Sequence, residues 1–164
     1  MTQVNPSYYG NADSANAMSQ STVAELLLVP SLEPAVRTAD AAGGWVDLKD
    51  YEAAEVVHQF GAHGDTLSST DKIACTIEES DDGVTSLGAV AAADLVGTLK
   101  TATANSDCDK VYAVGYRGKH RYIRASLDFS GTHSGGTATA AVVILGYGRH
   151  MPTAGVGAAL AVGS

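Results

Sequence analysis

Hydrophobic and polar residues in this chain alternate singly rather than recurring every third or fourth position. The clearest case is KIACTIEES, Lys72 to Ser80, where Ile73, Cys75 and Ile77 share one face and Lys72, Thr76 and Glu78 the other. A period of two marks a strand buried on one side and solvated on the other, as in antiparallel sheets. The same period runs through Ile123, Ala125, Leu127 and Phe129, with Tyr122, Arg124, Ser126 and Asp128 opposite. These residues end a longer stretch, VYAVGYRGKHRYIRASLDF, that reads as one long strand. Gly131 to Gly136 reads as a hairpin loop. Ala138 to Tyr147, which follows, is apolar on both faces, the pattern of a central strand or of one covered by a partner.

Shorter signals fill in the rest. Leu26 to Val29 is an apolar run closed by Pro30 and Pro34, too short for a helix and so a strand. Trp45–Leu48 and Ala53–Phe60 are further strands, and Ser80-Asp81-Asp82-Gly83 supplies a tight turn. Leu87 to Leu99 is Ala-rich and is the one predicted helix, bracketed by Gly88 and Gly97. At least six strands at short spacing predict an all-β fold: an antiparallel β-sandwich, jelly-roll-like, with one short helix and extended termini. Its expected core is Ile73, Cys75, Ile77, Ile123, Leu127, Val142 and Ile144. The sandwich is assigned to residues 21–152. Residues 1–20 form a polar arm, either frayed or pinned to a neighbour through Tyr8 and Tyr9. Residues 153–164 are a tail of small residues, mobile or docked.

Composition changes this picture in three ways. A chain of 164 residues can bury a core without disulfides or metals. Its formal charge of −8 argues against general nucleic-acid binding, which needs a positive surface. Carboxylates crowd between Asp40 and Asp82, whereas four of the ten Lys and Arg residues (Arg117, Lys119, Arg121, Arg124) lie within eight positions. Segregated charge suits docking. Cys75 and Cys108 could form one disulfide, but two lone thiols fit assembly in a reducing cytoplasm. The N-terminal residues lack the basic and apolar regions of a signal peptide, and no apolar run approaches the ~18 residues of a spanning helix, so no membrane association is expected.

Candidate chemistry is sparse. The closest histidines, His58 and His63, have no Cys or carboxylate at zinc-site spacing, so no metal or cofactor is expected. Asp81-Asp82-Gly83 lacks the ligand series of a calcium loop. There is no Gly-x-Ser-x-Gly elbow, and Glu78 and Glu79 are adjacent in a strand and point to opposite faces. GYRG and GYGR have neither P-loop nor dinucleotide spacing. The chain is therefore not expected to be an enzyme. The basic cluster has three readings: a solvated edge, a nucleic-acid contact, or an interface with carboxylates. Arg and Tyr, the residues enriched in interface hot spots, occur together at 115–124 and 146–149. The third reading is preferred, with Tyr8, Tyr9, Arg117, Arg121, Arg124, Tyr147 and Arg149 as interface candidates.

Four segments carry a resemblance: VDLKDYEAAEVV, KIACTIEESDDGVTSLGAVAAADLVG, VYAVGYRGKHRYIRASLDF and AVVILGYGRHMP. Over residues 40–152 their order resembles a family of small virion structural proteins of tailed bacteriophages. The resemblance implies a β-sandwich with a non-enzymatic role in the particle, assembled in the host cytoplasm and located in the virion. Its expected form is a capsid decoration or cement protein that contacts the major capsid protein and other copies of itself, as a homo-oligomer on the particle. A tail or connector component is the alternative, and a carbohydrate-binding host-attachment module a second. The Ser/Asn/Ala arm and the AGVGAALAVGS tail depart from the family pattern.

Overall fold

The computed structural model describes residues 26–149. Tyr8, Tyr9, the N-terminal arm and the C-terminal tail lie outside the described residues. Eleven strands lie within them: β1 (Leu27–Arg37), β2 (Ala41–Ala42), β3 (Val46–Asp47), β4 (Ala53–His63), β5 (Lys72–Ser80), β6 (Gly88–Ala89), β7 (Leu95–Val96), β8 (Thr101–Ala102), β9 (Lys110–Tyr116), β10 (Tyr122–Ser130) and β11 (Thr137–Gly146). One sheet has the order β1-β11-β4-β9-β7. The other has the order β2-β10-β5-β6, with β3 also on β10 and β8 also on β5. All these pairings are antiparallel. The two sheets are named here after their central strands, β11 and β10. Successive long strands (β4 and β5, β9 and β10, β10 and β11) fall in opposite sheets, the connectivity of a jelly roll.

The core fills the space between the sheets. Ile73, Ile77, Ile123 and Leu127 of the β10 sheet meet Val56, Phe60, Val143 and Leu145 of the β11 sheet, all essentially without solvent contact. Ser31 joins the layers. From β1 of one sheet its hydroxyl accepts the Ala125 N–H of the other at 2.9 Å and donates to the Gly44 carbonyl at 2.9 Å. Gly43 passes so close to Ser31 that a Cβ there would strike it.

Five local expectations are corrected. The stretch from Lys110 to Phe129 is two strands, not one. β9 belongs to the β11 sheet, β10 to the other, and residues 117–121 cross between them. The segment 131–136 is likewise a crossover rather than a hairpin, since β10 and β11 lie in different sheets. Carboxylates from the β4–β5 connection hold it. Asp65 accepts the N–H groups of Gly135 and Gly136 at 2.7 Å each, and Asp71 accepts that of Thr132 at 2.9 Å. Leu87–Leu99 is not a helix. Gly88 (φ 110°) and Gly97 (φ 106°) adopt left-handed backbone, and the segment adds β6 to one sheet and β7 to the other around a single 3-10 turn, Ala92–Asp94. Pairing with both sheet edges overrides alanine's helix propensity. β1 runs through both prolines to Arg37. It is an edge strand, where proline's missing N–H costs no ladder bond, and its register slips between Pro30 and Leu32 and between Leu32 and Ala35.

The fifth correction concerns facing. Ile73, Cys75, Ile77, Ile123 and Leu127 are core residues as expected, but Val142 and Ile144 are not. In β11 Thr137, Thr139, Ala141, Val143 and Leu145 alternate as buried residues, with Gly146 buried at the end, so Val142 and Ile144 point out of the sandwich. Cys108, in the connection from β8 to β9, is also buried, and both thiols are free. Burial pushes the Cys75 thiol up to about 12 and raises that of Cys108.

Candidate interface groove

The crossover from β9 to β10 and the turn from β3 to β4 meet at one end of the sandwich. There they border an open groove of about 670 Å³ whose cationic lining residues are Lys49, Arg117, Lys119, Arg121 and Arg149. These are five of the chain's ten Lys and Arg residues. Against them the lining places two carboxylates, Asp50 and Glu52, leaving it a formal +3 while the remainder of the chain carries −11.

Backbone geometry fixes this end. The Leu48 N–H donates to the Arg121 carbonyl at 2.8 Å, tying the two loops together. Asp50 takes positive φ (71°), which places its carbonyl to accept the Arg149 N–H at 2.8 Å. Tyr147 also has positive φ (53°), uncommon for an aromatic residue, and the residue is 75% exposed. Beneath the groove, the Tyr116 hydroxyl donates to Glu79 at 3.1 Å and accepts the His120 N–H at 3.1 Å. Burial, reinforced by Glu79, holds that phenol at about 12. Gly118 lies against the phenol, where any Cβ would collide with it. His120 hydrogen-bonds Asp81 at 2.7 Å, which raises its pKa, and Glu79 is 3.6 Å away on its other nitrogen.

The cations differ in how they are held. Arg121 grips Asp47 with both arms of its guanidinium, at 2.9 and 2.6 Å, and this keeps the Asp47 carboxyl below its usual range. Arg117 donates to the Ala93 carbonyl at 2.8 Å. The side chains of Lys49, Lys119 and Arg149 have no hydrogen bond or ion pair among the described residues. The groove therefore presents two fixed guanidinium groups and three uncommitted cations. That arrangement recognises carboxylates or other oxyanions through charge and N–H donors.

The sequence candidates divide accordingly. Arg117, Arg121 and Arg149 converge on the groove. Arg124 does not. It lies on the outer face of the β10 sheet, bonded to Glu78 at 2.7 Å and stacked on Trp45 with its guanidinium carbon 4.3 Å from the ring centroid. Tyr147 is nearby in sequence but does not line the groove. Lys49 was missed. It is about seventy residues from the basic cluster, and its only sequence signal is its place just after a strand pairing with β10. His58 is buried between the sheets, and His63 bonds the Asp65 carbonyl at 2.9 Å. Among the described residues no cluster of His, Cys, Asp or Glu could hold a metal ion, and no helix is long and apolar enough to cross a membrane.

Compared with known proteins, the chain matches no family model, no curated protein and no solved structure.

Proposed function

We propose that this chain is a structural protein of a tailed-phage particle, a capsid decoration or cement protein that docks on the shell and clamps major capsid subunits. The observation that carries this reading is the basic groove at one end of an otherwise acidic jelly roll. A protein that must bind at many equivalent positions gains from a charged mouth that fixes its orientation and from an acidic remainder that disfavours docking by any other end. Jelly rolls recur among viral capsid and lectin domains, a fold-level analogy that supports the resemblance. Sugar binding is the weaker alternative, because one face of the sole Trp, Trp45, is occupied by Arg124.

Particles lacking the protein, mixed with purified chain, test the proposal. Binding is expected to saturate at a copy number set by the capsid lattice and to weaken as salt rises. Changing Lys49, Lys119 and Arg149 together to Glu should abolish it while the melting temperature holds. Saturation at a few copies per particle would indicate a tail or connector component, and no binding at low salt would reject a particle role.

A further inference from the structure

The outer face of the β11 sheet is unusually apolar for a surface. Hydrogen-bond register sets its outward residues in three rows across β11, β4 and β9: Ile144–Glu55–Gly115, Val142–Val57–Ala113 and Ala140–Gln59–Val111. Glu55 is the only charged group in these rows, in a chain of net charge −8. On the flanking strands the face continues with Leu28, Val36 and Val96, which with Val111 are each at least half exposed. At one end lies a shallow recess of about 260 Å³ bordered by Pro34, Gly61, Ala138 and Ala140. Contiguous apolar surface of this kind marks a contact site.

We propose that this face is a homodimer interface, with a second copy packed face to face about a two-fold axis along the Val142–Val57–Ala113 row. Three observations select a second copy over other occupants. The first is row complementarity. The two-fold lays the first row of one copy on the third row of the other. Ile144 then covers Ala140 beside the recess, Val111 covers Gly115, and Glu55 meets Gln59. Large residues fall on small ones twice, and the only two polar groups meet as acceptor and amide donor. An isologous contact requires this reciprocal matching of i with j and j with i.

The second is size. Strands of eleven (β1), ten (β11), eleven (β4), seven (β9) and two (β7) residues, at about 3.3 Å per residue and about 4.8 Å between strands, tile roughly 600 Å² per copy. The pair then covers about 1,200 Å², above the ~1,000 Å² expected of a specific interface. The third is that the edges are closed to pairing. β1 carries two prolines and two register slips, and β7 at the opposite edge has two residues. Copies that repel through their acidic remainder can approach over this nearly uncharged face. Aligned sheets pack at about −30°, which keeps the central rows in register while the corners splay.

Sedimentation of the full chain over a concentration series decides the matter, with no particle present. The expected result is a monomer–dimer equilibrium. Gln59→Glu sets two carboxylates against each other and should weaken the dimer by about tenfold or more, whereas Gln59→Lys should tighten it. The exchange Glu55→Gln with Gln59→Glu should restore wild-type affinity, because the contact is reciprocal. Val142→Arg should give a monomer with unchanged far-UV circular dichroism; if that variant misfolds, the two exposed charge variants still decide. A wild-type monomer at about 100 µM, well above the Kd range of specific homodimers, would overturn the proposal. So would Gln59→Glu and Gln59→Lys shifting the equilibrium in the same direction. A monomer that still decorates particles rejects the dimer alone, and a dimer that fails to bind particles rejects the decoration role alone.

Discussion

The outer faces of the two sheets come from strands of similar length in one jelly roll, yet they are built in opposite ways. On the β10 sheet, Glu78 accepts Arg124 at 2.7 Å, Ser126 at 2.8 Å and Ser86 at 2.6 Å, and Arg124 in turn covers Trp45. Burial would raise the Glu78 pKa, but those three donors outweigh it and the net shift is downward. Apart from the buried Arg124 Nε, which has no partner among the described residues, these groups pair with one another, as on a solvent surface. On the β11 sheet the corresponding positions are Ala138, Ala140, Val142 and Ile144, which leave nothing to pair within the chain. A sheet needs one apolar face to fold, and the second one is the surface that the proposed dimer would bury.

The sharpest way to break this comparison uses neighbours on one strand. Val143 is fully buried, whereas Val142 is half-buried on the outer face. Val143→Asp places an unpaired carboxylate in the core and should cost about 4 kcal/mol or more, enough to unfold a marginally stable domain. Val142→Asp should leave the monomer's melting temperature within a few degrees while changing association. If urea melts gave both variants equal losses, the assignment of faces would be wrong.

Between the faces, His58 supplies the next largest effect. Burial lowers its pKa from 6.5 to about 4. The folded state resists its protonation, so the stability contributed by neutral His58 is complete above pH 6.5 and declines as pH falls toward 4. Below 4 both states are protonated and the dependence ends. The full shift corresponds to roughly 3 kcal/mol as an upper figure. His120 has the opposite sign: its raised pKa favours folding below 6.5, and that contribution fades at higher pH. Urea melts at pH 7, 5.5 and 4.5 should therefore show a loss that His58→Leu removes.

On the polar face the effects are smaller. Glu78→Gln should cost about 1–2 kcal/mol, because it weakens a charge-assisted contact and leaves Arg124 partly buried without its counter-charge. It should leave sedimentation unchanged, since that face is outside the proposed dimer interface. A shift in oligomeric state would mean that the two faces are less independent than the fold implies.

The contrast between the faces also decided what the sequence could reveal. β5 and β10 were legible because each has one apolar and one polar side, so parity names the core. β11 was recognisable as a strand apolar on both faces, central or covered. Its inward side was not legible, since alternation carries no information when both sides are apolar, and Thr137 and Thr139 are turned inward. The crossover at residues 117–121 was hidden because a chain that changes sheets keeps alternating on either side of the break. The Ala-rich segment 87–99 misled because sheet-edge pairing outweighs helix propensity. Of the groove, Arg117, Arg121 and Arg149 were marked by composition, but their convergence with Lys49 depends on pairing between β3 and β10, a long-range contact with no local signature.

The smallest expected effect separates the groove from both faces. Arg121 and Asp47 form a well-aligned bidentate pair, but both are substantially exposed, at 49% and 39% of their side chains. Exposed pairs are screened and add little to stability, so Arg121→Ala should leave the melting temperature within a degree or two. It should also leave the monomer–dimer equilibrium unchanged, because Arg121 is at the end of the sandwich rather than on the β11 face. Its effect should appear only in particle binding, and only modestly, since Asp47 is released as the guanidinium is lost. Asp47→Asn frees Arg121 and retains its charge, so it should strengthen particle binding at low salt. Opposite responses of these two variants would identify an electrostatic groove. Equal responses would show that the pair matters only for loop geometry, leaving Lys49, Lys119 and Arg149 to make the contact.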